Sequence, residues 1–117
     1  MIGLKSGVSL KGLQASTTLA IFAVHELFMS KGIKFTITSC NDGDHMVGSL
    51  HYKGFAFDVR THDIVLQSRG TYLTSLVTEV KTMLGPEFDV LLEDLAGPNE
   101  HMHVEFDPKP IAEKLPS

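Results

Sequence analysis

The chain has 117 residues, of which 43% are hydrophobic and 21% are charged. This length and composition predict one globular domain, and they exclude an intrinsically disordered chain. The formal net charge of −4, without any basic run, argues against a nucleic-acid-binding protein. The single cysteine excludes an intrachain disulfide and a four-cysteine zinc site, so histidine and carboxylate side chains would have to hold any metal.

The beginning of the sequence carries no apolar run of the length that a signal peptide needs. Residues 19–29 are rich in apolar side chains, but they are too few to span a membrane and are interrupted by His25 and Glu26. We therefore expect synthesis in a cytoplasm, without membrane insertion, and delivery by another component if the protein acts elsewhere.

The first third of the chain predicts an arm, a helix and a strand. Residues 1–12 contain three glycines and little periodicity, so we expect an arm that packs loosely. Residues 13–29 predict a helix, which Lys31 and Gly32 end. Residues 34–40 alternate and are rich in β-branched side chains, which predicts a strand. The apolar stripe of the helix consists of Ala20, Ile21, Val24, Leu27 and Phe28.

The middle of the chain places reactive side chains around a short strand. Residues 41–53 form a long loop that carries His45 and His51, and long loops with reactive side chains are often functional. Residues 55–60 alternate again and predict a strand that holds Asp58. A strand holds a ligand more rigidly than a loop does.

The remaining elements are a helix and two strands. Residues 71–84 carry an apolar stripe at helical spacing and are followed by Gly-Pro, which predicts a helix. Residues 88–92 and 101–106 predict two strands joined by a short connection. The chain is therefore expected to form a small α+β domain, with an antiparallel sheet packed on two helices.

Three side chains from separate segments have the chemistry of a catalytic zinc site. His51, Asp58 and His103 would give three ligands and leave a fourth position open for water. Glu100 is the candidate for the carboxylate that moves the proton. Strict alternation puts Glu100 on the opposite face of its strand from His103, so it shares the site only if the strand begins after it or a bulge intervenes. His101 lies on the same face as His103 and could bind zinc itself.

Two motifs give the chain its resemblance to a known family. They are Ser-x-His-x-x-Gly-x-Ala-x-Asp, which ends at Asp58, and Glu-x-x-His, which ends at His103. Together they resemble the zinc peptidases that include D-Ala-D-Ala carboxypeptidases and phage L-alanyl-D-glutamate endopeptidases. The amino-terminal domain of Hedgehog is similar in motif. The likeness runs from about residue 13 to residue 107.

The resemblance implies a Hedgehog/DD-peptidase fold and one zinc peptidase domain over residues 1–117. It implies Zn²⁺ on His51, Asp58 and His103, with Glu100 as the catalytic base and acid. The expected function is hydrolysis of peptide bonds in bacterial peptidoglycan, either the D-Ala-D-Ala or the L-Ala-D-Glu bond. Such a domain fits a phage lysis protein or a virion part that reaches the cell wall.

The chain also departs from the family pattern in two places. Many members carry a substrate-binding arginine shortly before the first motif, whereas no arginine precedes Arg60 here. His45 is the candidate that replaces it, and Ser49 and His101 are further candidates for substrate contact. The second departure is Glu-His-Met-His in place of Glu-Pro-Trp-His. The missing arginine keeps a second expectation open, a non-catalytic zinc-binding or virion assembly module on the same fold.

Overall fold

The structure is a computed structural model that describes residues 1–40, 55–64 and 69–108. Within these residues the chain forms two helices and five strands. In chain order they are β1 (Ile2–Leu4), α1 (Ala15–Ser30), β2 (Phe35–Ser39), β3 (Ala56–Arg60), α2 (Arg69–Leu84), β4 (Phe88–Glu93) and β5 (His101–Phe106).

The five strands form one sheet in the order β1-β2-β3-β5-β4. All neighbours are antiparallel except β1 and β2, which run parallel. The expected α+β fold, with a mostly antiparallel sheet and two helices, is therefore confirmed. The strand order matters for function, because it makes β3 and β5 neighbours although α2 and β4 lie between them in the chain.

Strand β1 is the element that the sequence did not predict. The first residues were expected to pack loosely, but Ile2–Leu4 pairs with β2, and the Lys5 amide donates to the Ile37 carbonyl at 2.9 Å. Gly3 allows this close approach, since a Cβ atom there would lie 3.2 Å from the Phe35 carbonyl oxygen. Three residues with a central glycine are too short for an alternating pattern to be recognised.

Both helices contribute to a core that covers one face of the sheet. The buried side chains include Phe28 from α1, Leu73 from α2, and Phe57 and Met102 from β3 and β5. Because side chains alternate along a strand, the residues between these core positions point away from the helices. Asp58 and His103 are among them.

The helix boundaries follow the sequence signals closely. After α1, Gly32 takes a φ of 70°, and the Ile33 amide donates to the Phe28 carbonyl at 2.9 Å. The Lys31 ammonium reaches the Glu79 carboxylate on α2 at 2.8 Å, which ties the two helices together. No helix within the described residues is long and apolar enough to cross a membrane.

Candidate metal centre

Asp58 and His103 meet on the face of the sheet that the helices leave open. They are direct partners in the β3–β5 register, and Asp58 Oδ1 lies 2.7 Å from His103 Nδ1. Their side chains are only 12% and 13% exposed, so both polar groups need hydrogen-bond partners within the protein. The structure thus brings together two of the three predicted zinc ligands.

Glu93 joins this pair from β4 and was not predicted from the sequence. One carboxylate oxygen of Glu93 lies 3.9 Å from His103 Nδ1, and Asp58, Glu93 and His103 each offer a ligand atom within 4.8 Å of the others. Glu93 is the last residue of β4 and is paired in register with His101. The sequence could have suggested Glu93 as a ligand only from its position, where β4 ends and the short connection to β5 begins. No motif marks it.

His101 lies beside the pair rather than between its members. Its Nδ1 donates to the Asn99 carbonyl at 2.7 Å, and its Nε2 lies 3.0 Å from Glu93 and 3.7 Å from Asp58 Oδ2. Burial of the ring lowers the pKa of His101, but the Asn99 carbonyl and the two carboxylates outweigh it and raise the pKa above its usual value. The His101 ring therefore helps to hold the carboxylates of Glu93 and Asp58 in position.

The imidazole of His103 is held at both nitrogens. Nδ1 faces Asp58, while Nε2 lies 2.7 Å from Glu105 Oε1, two residues along the same strand. Burial opposes protonation of the ring, but the hydrogen bonds and charges of Asp58 and Glu105 prevail and raise the pKa of His103 to about 9. At neutral pH the metal-free ring is consequently a cation between two carboxylates.

The Glu100 side chain points toward the start of α2, into a closed hydrogen-bonded environment. Its side chain is buried, and its two oxygens accept hydrogen bonds from the Arg69 guanidinium, the Thr61 hydroxyl at 2.6 Å and the Ala96 amide at 2.8 Å. Arg69 also donates to the carbonyls of Ile64 and Thr61, at 2.7 and 3.0 Å. Strand β5 begins at the next residue, so strand alternation does not fix the direction of the Glu100 side chain; its contacts with Arg69 and Thr61 do.

The hydrogen bond from Arg69 has a direct electrostatic consequence. Together with the Thr61 hydroxyl and the Ala96 amide, it overcomes the effect of burial and lowers the pKa of Glu100 to about 2. A carboxylate with so low a pKa and with all its acceptor sites engaged is a weak base. The role of Glu100 as catalytic base stays a prediction, and in that role its carboxylate would first have to leave Arg69.

The remaining predicted site residues lie outside the described part of the chain. These are His51, the third predicted zinc ligand, and His45 and Ser49, the predicted substrate contacts. All three belong to the segment that immediately precedes β3 in the chain, and β3 carries Asp58.

A cleft of about 210 Å³ opens beside the pair. Asp58, Glu100 and His101 form part of its wall, and Lys5 and Arg60 add two cations. Arg60 also lies 3.7 Å from Asp63. The cleft therefore combines carboxylate and imidazole side chains with positive charge.

The donor set fits zinc in type and spacing. Zinc is bound by imidazole nitrogen and carboxylate oxygen at about 2.0–2.2 Å, so neighbouring donors lie about 3.3 Å apart in a tetrahedral site. The distances of 2.7 Å from Asp58 and 3.9 Å from Glu93 to His103 Nδ1 bracket that value. Small side-chain movements would bring all three donors to one ion.

Comparison with known proteins adds no family to this geometry. No protein-family model, no curated protein and no solved structure matches the chain significantly.

Proposed function

We propose that this protein is a zinc-dependent peptidase that hydrolyses peptide bonds of bacterial peptidoglycan. The observation that carries the proposal is the contact between Asp58 and His103, which the two sequence motifs predict as ligands of one metal. They are 45 residues apart in the chain, and they meet on a partly buried face next to a cleft. An isolated surface histidine would not have two carboxylate partners at hydrogen-bonding distance.

The proposed reaction would need residues that hold the metal and residues that attract the substrate. Asp58 and His103, with His51 as the third predicted ligand, hold the metal. Bound zinc supplies a polarised scissile carbonyl and a water activated near neutral pH. Lys5 and Arg60 in the cleft attract the carboxylates of a wall peptide, and electrostatic attraction of this kind raises association rates.

Two carboxylates are candidates for moving the proton from water to the leaving amine. Glu100 is favoured by the Glu-x-x-His motif, whereas Glu93 is favoured by position, since its half-exposed carboxylate lies 3.9 Å from His103 Nδ1. Substituting each by glutamine keeps the shape and removes the base. Loss of one general base costs about 10²–10⁴-fold in rate, so the variant with that loss identifies the residue.

The direct test of the function is release of new amino groups from purified peptidoglycan, with and without a chelator. We expect release that stops with chelator and returns with added zinc. Asp58→Asn should abolish it, while Asp63→Asn, which removes a carboxylate outside the metal cluster, should not. Release that persists in the chelated protein, or that never occurs with zinc bound, would refute the proposal.

A non-catalytic zinc-binding or virion assembly module is the second candidate. The observation that favours it is the engagement of Glu100 by Arg69, because a structural role explains that ion pair without any catalysis. This module would bind zinc through Asp58 and His103 and leave peptidoglycan intact. The same amine-release assay, combined with a measured zinc stoichiometry, separates the two functions.

A further inference from the structure

We propose that Glu105 is a positioning residue, which fixes the imidazole of His103 so that Nδ1 faces the metal. This inference rests on the proposed function, because it concerns the same metal site. It concerns a residue outside both sequence motifs, and its support is the geometry of β5.

Glu105 occupies the position from which it can set the orientation of the ring. It lies two residues after His103, so both side chains point to the same face of β5, and Glu105 Oε1 is 2.7 Å from His103 Nε2. A carboxylate accepts only, so Nε2 must carry the proton in this contact. By the same rule Nδ1 of the metal-free ring carries a proton toward Asp58; a metal held with Asp58 and Glu93 would replace that proton, while Nε2 keeps its own proton toward Glu105.

This contact would also strengthen the ligand. A metal-binding histidine ordinarily donates its second N–H to a carboxylate or carbonyl, which fixes the tautomer and makes the ring a better donor. Loss of such a partner typically weakens metal binding about 10–100-fold. Glu105 is 21% exposed, so water competes only partly for its oxygens.

Asp89 provides a matched control for the charge of Glu105. It is the cross-strand partner of Glu105 on β4, and the carboxylates of Asp89, Glu105 and Asp107 lie within 4.8 Å of one another. Asp89→Asn thus removes one negative charge from the same patch without removing the acceptor of His103. If the three carboxylates only attracted zinc by their negative charge, Asp89→Asn and Glu105→Leu would weaken zinc binding equally.

The test measures zinc affinity of the whole chain by competition with a chromophoric chelator. We expect Glu105→Leu to weaken zinc binding about 10–100-fold. We expect Glu105→Gln, whose amide oxygen still accepts from Nε2, to recover most of the affinity, and Asp89→Asn to stay within about threefold of wild type because only the long-range charge is changed. Equal losses in Glu105→Leu and Asp89→Asn, or no loss in Glu105→Leu, would overturn the inference.

A measurement on the wild-type chain keeps the inference testable if Glu105→Leu does not fold. Long-range ¹H–¹⁵N spectra of the zinc-loaded protein report which ring nitrogen of His103 binds metal and which keeps its proton. A protonated Nε2 with metal at Nδ1 is expected, and the opposite tautomer would contradict the role of Glu105. Zinc binding that is normal in Glu105→Leu overturns this inference alone, whereas a wild-type chain that binds no zinc overturns the proposed function with it.

Discussion

Carboxylates on the two sides of the β3–β5 pair have different surroundings. Near the start of α2, Glu100 accepts hydrogen bonds from Arg69, Thr61 and Ala96, so its charge is fully compensated by the protein. On the open side, within the part of the chain that the structure describes, Asp58, Glu93 and Glu105 surround the ring of His103. A carboxylate whose acceptor sites are all filled stabilises the fold, whereas several carboxylates around one imidazole favour the binding of a metal cation.

The difference arises within a single short motif. Glu100 and His103 belong to the same Glu-x-x-His sequence, yet the Glu100 side chain turns toward Arg69 of α2 while His103 faces Asp58. The comparison predicts that changes around Glu100 mainly affect stability, while changes on the open side mainly affect metal binding.

The largest effect is expected from Arg69→Met. This substitution leaves the buried Glu100 carboxylate without its cation, and we expect it to lower the free energy of unfolding by about 3 kcal/mol, at the low end for a buried pair because Arg69 is partly exposed. Urea denaturation measures the change. The matched control is Glu79→Gln, which breaks the more exposed pair with Lys31 and should have a much smaller effect. A similar decrease in the free energy of unfolding in both variants would show that the buried ion pair of Glu100 contributes no more than an exposed one.

The pH dependence of stability should reveal the same ion pair. The pKa of Glu100 is lowered from 4.5 to about 2 in the folded protein, so its contribution is complete above pH 4.5 and is lost as the pH falls toward 2. A shift of that size corresponds to about 3 kcal/mol. Unfolding free energies measured across this range should fall more steeply for wild type than for Glu100→Gln. Parallel curves would contradict the lowered pKa.

Zinc should stabilise the protein through the open face. At a free concentration of 100 times Kd, a ligand that binds only the folded state adds about 2.7 kcal/mol to the free energy of unfolding. Thermal unfolding with and without zinc measures this, and His103→Ala should lose the effect while Arg69→Met should retain it. Loss of the zinc effect in Arg69→Met, with the fold intact, would mean that the two faces are coupled.

The smallest effect is expected from Glu93→Gln. Its carboxylate is half exposed and 3.9 Å from His103 Nδ1, so we expect zinc affinity to fall by less than about tenfold, or about 1.4 kcal/mol. The chelator competition assay measures it, and Glu26→Gln on the exposed side of α1 is the control. A loss as large as that of His103→Ala would make Glu93 a full zinc ligand.

The sequence anticipated much of the fold because local periodicity marks its elements. The end of α1 at Lys31 and Gly32 and the limits of β5 were read from residue type alone. Helix α2 begins at Arg69 rather than at Thr71, because the Arg69 side chain anchors the first turn to Glu100, which is distant in the chain. Strand β1 was missed because its pairing with β2, rather than any pattern of its own, makes it a strand.

What the sequence determined by itself is which side chains share a face, since backbone geometry fixes the alternation of Asp58 along β3 and of His103 and Glu105 along β5. Only the tertiary structure decided which faces meet. The β3–β5 register brings Asp58 to His103 across 45 residues, and α2 brings Arg69 to Glu100 across 31. Such long-range contacts depend on the packing of the whole core, which no local pattern encodes.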